Sequence, residues 1–268
     1  MDRYRIPKIS RKITAKAKFT AADYLNSFHQ SKMWMPSRAI IVFSHRIFDA
    51  LYRNIPLREY EFPYGGTFTE GINVDLDLMV IRSYAGAPLL ATIVEELGAL
   101  GVKDFLIVGT AGAINDKAKV GDLVLCSRAI RDEGTSYHYA KPSVFAYPDK
   151  ALIKSIEAIL TQQNKKFLRG GTWTTDAPYR ETSLEVSTFS KMGILTVDME
   201  ASALFTVCRK LGLRGVALFM VSDLVYEEPW GGFQLEGEKI DELAETAQSI
   251  AQSRWVAMDS DNITNQLS

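Results

Sequence analysis

The sequence predicts an α/β fold in which a central sheet is flanked by helices, and three observations lead to it. Residues 194–225 read as strand, helix, strand: a β-prone run at 194–197, a helix with its apolar face at Leu204, Val207, Cys208 and Leu211, and a second strand at 216–221. The helical stretch has the i, i+3, i+4, i+7 spacing of one buried face, and Gly212 supplies its stop. The second strand is apolar without interruption, the pattern of a strand covered on both faces. Similar apolar runs recur at 38–43 and 105–108. Finally, carboxylates close both strands of the unit, Asp198 and Glu200 after the first and Asp223 after the second. In open α/β sheets, ligands bind at that rim.

Composition narrows the classes of function. At 268 residues the chain suits one large α/β domain or two small ones, and no repeat, low-complexity tract or linker divides it. A formal net charge of −1 gives no electrostatic footprint for nucleic acid or an anionic membrane. No apolar run reaches the length of a membrane span, and residues 1–12 contain no signal-peptide core. Cys126 and Cys208 both fall in apolar runs, as buried thiols of a reducing compartment do. A cytoplasmic protein is expected.

Taken in order, residues 1–37 form a polar, basic arm with one short helix over 20–30, capped by Thr20 with Asp23 three residues on. The main domain is expected over 38–258. Its first strand, 38–43, leads through Ser44, His45 and Arg46 into a short helical run at 47–52. Residues 60–84 read as β-rich, with a turn at Gly65-Gly66 and an apolar run at 78–81. A small-residue turn at 83–89 places Pro88 near the start of a helix over 89–100, with Leu90, Ile93, Val94 and Leu97 on its buried face. After the strand at 105–108, Gly109, Ala111 and Gly112 allow close backbone approach. A strand over 123–129 precedes a loop in which His138 lies between Tyr137 and Tyr139. Flanked in this way, the imidazole reads more readily as a packing residue than as an acid or base. A helix over 151–163, a strand over 170–175, a closing helix over 235–258 and a tail at 259–268 complete the chain.

The string V-D-M-E-A at 197–201, followed by V-S-D at 221–223, resembles the purine nucleoside/uridine phosphorylase superfamily, which also contains nucleosidases that use water. The segment F-L-I-V-G-T-A-G-A-I at 105–114 and V-G-D-L-V at 120–124 extend the resemblance. T-T-D-A-P-Y-R-E-T at 174–182 is similar to the uridine phosphorylase-like branch. The resemblance implies a single-domain nucleoside phosphorylase-like fold with a mixed, twisted central sheet. It also implies a small-molecule nucleoside substrate, no metal and no cofactor apart from inorganic phosphate as co-substrate. A homo-oligomer, dimer or hexamer, is implied as well, with Arg53, Arg58 or His29 as residues a neighbouring copy could contribute.

The same resemblance assigns roles. Glu200 pairs with the ribose hydroxyls, and Asp223 is the acid at the departing base. Asp198, which is equally a helix cap, counts among the substrate contacts with Met199 under the sugar. Thr110 serves the anion or the ribose, Ala111 and Gly112 line the base, and Tyr179 and Arg180 stack on it or donate to it. Phosphate is expected at Ser44, Arg46 and Thr110. Two departures bear on that anion. The glycine-rich turn after the first strand is replaced by F-S-H-R-I-F, and Ile107 stands where phosphorylases commonly carry an arginine. The expected activity is phosphorolysis of a nucleoside to free base and ribose 1-phosphate, with hydrolysis or binding without catalysis as the alternatives.

Overall fold

In the computed structural model, which describes residues 12–28, 35–59 and 69–255, the apolar runs become strands buried on both faces. Strand β1 (Arg38–Val42) shows why. Its side chains alternate, so Ile40 and Val42 enter one hydrophobic layer while Ala39 and Ile41 enter the other. Strands β2 (Arg58–Glu59), β3 (Thr69–Asn73) and β4 (Leu78–Arg82) extend the sheet on one side of β1. On its other side lie β5 (Asp104–Ala113), β6 (Leu123–Asp132), β7 (Phe145–Ala146), β8 (Leu168–Thr175), β9 (Ile194–Asp198) and β10 (Arg214–Leu224). The spatial order is β10-β6-β8-β9-β5-β1-β4-β3-β2, with β7 beside β6.

Pairings are mixed. β1 runs parallel to β4 and β5, β5 parallel to β10, and β9 antiparallel to β5. β10 pairs with β5 as well as β6, so β5, β10, β6, β8 and β9 close on one another as a ring. The mixed sheet is the one the family resemblance implies; the closure removes the free edges of those five strands.

Helices cover both faces. The first layer joins Ile40 and Val42 to Leu51 of α2 (His45–Asn54), Ile156 of α4 (Lys150–Gln162), and Leu243 and Ile250 of α7 (Gly237–Gln252). The second joins Ile41 and Ile107 to Leu90 and Val94 of α3 (Ala87–Leu100) and to Leu204 and Cys208 of α6 (Ala201–Leu211). Each such side chain contributes about 1.5–3 kcal/mol on burial. The expected local signals operate: Thr20 and Asp23 form a capping box at α1 (Ala21–Asn26), and Gly212 ends α6 at φ 70°. Gly65-Gly66, His29 and the tail at 259–268 lie outside the described residues.

Several boundaries differ from the sequence reading. β5 does not turn after Val108 but continues to Ala113, because β10 and β9 hydrogen-bond to that continuation. Likewise Ser222 and Asp223 lie within β10, beside a register shift between Val221 and Asp223. The closing helix spans Gly237–Gln252, shorter than the predicted 235–258. Helix α5 (Ser183–Lys191) is not predicted, although a capping box of Thr182 and Glu185 announces it.

Candidate active site

The strand ends of the ring open on a cavity of about 920 Å³. β5 supplies Thr110, Ala111 and Gly112, the β9–α6 junction supplies Asp198, Met199 and Glu200, and β10 supplies Ser222 and Asp223. Residues separated by up to 113 positions in sequence thereby face one space, the convergence that the strand-end carboxylates predict.

Asp198 builds the junction. Its Oδ2 accepts from the backbone N–H of Glu200 at 2.8 Å and of Ala201 at 2.6 Å. Its Oδ1 accepts from the hydroxyls of Thr174 at 2.8 Å and Thr172 at 3.1 Å. Burial pushes the carboxyl pKa up, and these four donors oppose the shift. With both oxygens so occupied, Asp198 is a positioning residue that caps α6 and aims Glu200. Asp198→Ala should therefore lower stability by on the order of 3 kcal/mol, because it strands buried donors. Asp198→Asn, which can still accept from the two N–H groups, should lose much less in urea unfolding. Equal losses would show that the cap contributes little.

Glu200 is buried, and Gly86 ahead of α3 donates its N–H to Oε1 at 2.6 Å. Burial first, and the neighbouring Asp198 carboxylate second, hold its pKa above the ordinary glutamate range. The carboxylate lines the cavity and meets whatever enters it.

Asp223 is also buried, with a donor on each oxygen: the Ser222 hydroxyl at 2.6 Å and the Trp230 indole N–H at 2.9 Å. Gly112 makes room for it. A Cβ there would stand 2.5 Å from Val225 and 3.3 Å from Asp223 Oδ2, so a larger residue must displace Val225 and crowds the carboxylate. Thr110 is the one exposed residue of β5.

Other expected residues fall elsewhere. Arg46, half-exposed, forks onto Asp241 of α7 at 2.6 and 2.8 Å; neither it nor Ser44 lines the cavity. The α2 and α7 apolar faces pack together, which brings Arg46 to that carboxylate instead of to an anion in the cavity. Tyr179 stands at the mouth, 99 % exposed, whereas Arg180 is exposed and outside the lining. Arg53 and Arg58 are exposed and away from the cavity, and His138 is exposed beside Lys12.

The sequence reading misses two residues of the wall. Trp230, on the segment between β10 and α7, reaches back to Asp223 and is still 60 % exposed. Glu181 follows Arg180 directly. It is half-buried, and burial, then Asp223, then Glu185 push its pKa up to about 7. Its place inside T-T-D-A-P-Y-R-E-T was the available signal. In all, six of the lining residues are acidic (Glu181, Asp198, Glu200, Asp223, Glu227 and Glu228), and none of the described lining residues is Arg, Lys or His.

Fold and cavity define an α/β protein with a carboxylate-rich ligand site at the strand ends of a partly closed mixed sheet. The chain belongs to the phosphorylase superfamily, whose family model matches residues 37–253. It is 31 % identical over 172 residues to the guanosine phosphorylase of Halorubrum lacusprofundi, covering 64 % of this chain and 70 % of that protein. It is 30 % identical over 154 residues to the uridine phosphorylase of Haemophilus influenzae, covering 51 % of this chain and 60 % of the relative. Among solved structures, the uridine phosphorylase of Vibrio fischeri ES114 matches with a TM-score of 0.67 and 26 % identity, over 81 % of this chain and 88 % of that one. A purine nucleoside phosphorylase from Toxoplasma gondii matches with a TM-score of 0.72 at 19 % identity, over 81 % and 89 % of the two chains, a likeness of fold.

Proposed function

We propose that this protein is a nucleoside phosphorylase, transferring the ribosyl group of a nucleoside from its base to inorganic phosphate. The observation that carries the reading is the pair of buried carboxylates, Glu200 and Asp223, facing one cavity within a chain of this superfamily. Cleaving an N-glycosidic bond builds positive charge on the ribose ring and negative charge on the base. Glu200 accepts from the 2′- and 3′-hydroxyls and fixes the sugar. Asp223 delivers a proton to the base nitrogen as the C1′–N bond breaks, and a phosphate oxygen bonds to C1′ from the opposite face, beside Thr110. General acid help of this kind is worth about 10²- to 10⁴-fold.

Phosphate needs positive partners, and the described lining offers no cationic side chain. The N-terminal end of α3, next to the lining residue Ala85, supplies part of that field. A second copy of the chain in a dimer or hexamer supplies the rest. The same lack of cations favours a second reading, hydrolysis with water as the nucleophile. Base release from a panel of purine and pyrimidine nucleosides, with and without phosphate, tests both. Release that requires phosphate supports the phosphorylase, release indifferent to phosphate supports the hydrolase, and no release refutes both.

A further inference from the structure

We propose that Glu133, buried outside the cavity, is a second positioning residue for Glu200, acting through Ser202 and the first turn of α6. The inference rests on the nucleoside reading for its ligand, and on the hydrogen bonds of the fold for its geometry.

Glu133 follows β6 directly and does not line the cavity. It is only 2 % exposed, yet each carboxylate oxygen has a donor. Oε1 accepts from the Ser202 hydroxyl at 2.6 Å, and Oε2 accepts from the Ser136 backbone N–H at 2.7 Å. The Ser136 hydroxyl oxygen in turn accepts from Nε of buried Arg131 at 2.8 Å, which ties the carboxylate to an opposite charge. Gly134 donates its N–H to Asp176, just past β8, at 2.7 Å, so the loop carrying Glu133 is anchored on that side too. Stability alone does not explain a charge at this place, because apolar residues of similar volume often stabilise a fold as well as a buried ionic network does.

The partner of Glu133 shows where the network leads. Ser202 is the second residue of α6 and is fully buried. Its N–H donates to the Thr174 hydroxyl oxygen at 3.0 Å, and that hydroxyl donates to Asp198. The first turn of α6 is therefore held from three strands: by Asp198 of β9, by Thr174 of β8 and, through Glu133, from the end of β6. Backbone N–H groups point along a helix axis and side chains point across it. Asp198 and Thr174 grip N–H groups of the turn, whereas Glu133 grips a side chain and so opposes rotation of the turn about its axis. Glu200 is the N-cap of this helix and makes no side-chain bond to it. Its carboxylate meets Gly86 and the cavity instead, so its setting follows the turn that it opens.

Glu133→Ala, Glu133→Gln and Ser202→Ala, each made in the full wild-type chain and in Glu200→Gln, test this. The readout is calorimetric titration with a ribonucleoside that the wild type binds and with its 2′,3′-dideoxy analogue. Glu133→Ala should weaken the ribonucleoside about 10- to 100-fold, the effect of a contact misplaced by about 1 Å, and leave the analogue unchanged. Ser202→Ala should show the same split. Glu133→Gln, whose amide can still pair with Ser136 and Ser202, should show a smaller one. In Glu200→Gln each substitution should add little, as for residues that act as one unit. Without ligand, amide exchange at residues 200–202 should quicken in both alanine variants. Equal weakening of ribonucleoside and analogue, or full additivity with Glu200→Gln, overturns the assignment. If Glu133→Ala does not fold, Ser202→Ala decides by the same measures. A wild type that binds no nucleoside overturns the nucleoside reading alone when exchange is quickened, and both when exchange is unchanged.

Discussion

Asp223→Asn is expected to reduce turnover about 10²- to 10⁴-fold while leaving nucleoside affinity within a few fold. The substitution keeps the shape of the side chain. An asparagine can turn its carbonyl oxygen toward the Trp230 indole N–H and its amide toward the Ser222 hydroxyl, so both present contacts survive. What it lacks is a transferable proton at the departing base. Loss confined to kcat marks an interaction made in the transition state. Turnover at the wild-type rate in a purine substrate would reduce Asp223 to a tether for the Trp230 segment.

Glu200→Gln is expected to act on both constants, raising KM and lowering kcat. Hydrogen bonds from the ribose hydroxyls to an ionised carboxylate are worth about 1.5–3 kcal/mol, and an amide retains a fraction of that. Gly86 can still donate to the glutamine oxygen, so the fold is expected to hold. The wild type should also show a pH signature. Burial and Asp198 raise the Glu200 pKa, so its proton stays on at pH values above the ordinary glutamate value of 4.5. Ribose hydroxyls donate best to the ionised form. Nucleoside affinity should therefore fall as pH is lowered through the raised pKa, with proton release on binding in that window. For stability the sign is opposite: a raised pKa stabilises the ligand-free fold below 4.5, and this contribution is lost as pH rises through the folded value. Affinity flat with pH in the wild type, or equal in Glu200→Gln, would argue against this role.

The sequence made the layers of the fold legible because buried strands and amphipathic helices leave different periodicities. Ile40 and Ile41 can both be buried only in a sheet covered on both faces. It did not disclose the ring, since closure depends on β10 pairing with β5 and β6 at once, a non-local choice that period-2 alternation does not encode. The run Gly109 to Gly112 reads as a turn because small residues usually mark one. Here they are strand residues whose neighbours approach closely, Val225 and Asp223 at Gly112 and Phe43 at Gly109. The carboxylates at strand ends were visible in advance, but their division of labour was not. Only the hydrogen bonds separate Asp198, saturated by four donors on its two oxygens, from Glu200, to which Gly86 donates at the cavity wall. Arg46 was expected at an anion because the family resemblance places phosphate at the turn after the first strand, and its partner Asp241 lies 195 residues away.

The reverse reaction tests the central claim most directly. Ribose 1-phosphate and the free base of a nucleoside that the protein cleaves, incubated with the wild-type protein, should yield that nucleoside and inorganic phosphate in equal amounts, and Asp223→Asn should abolish most of that synthesis. A protein that releases base from a nucleoside yet forms none of that nucleoside from the base and ribose 1-phosphate would contradict the account, and would make water the nucleophile in this cavity.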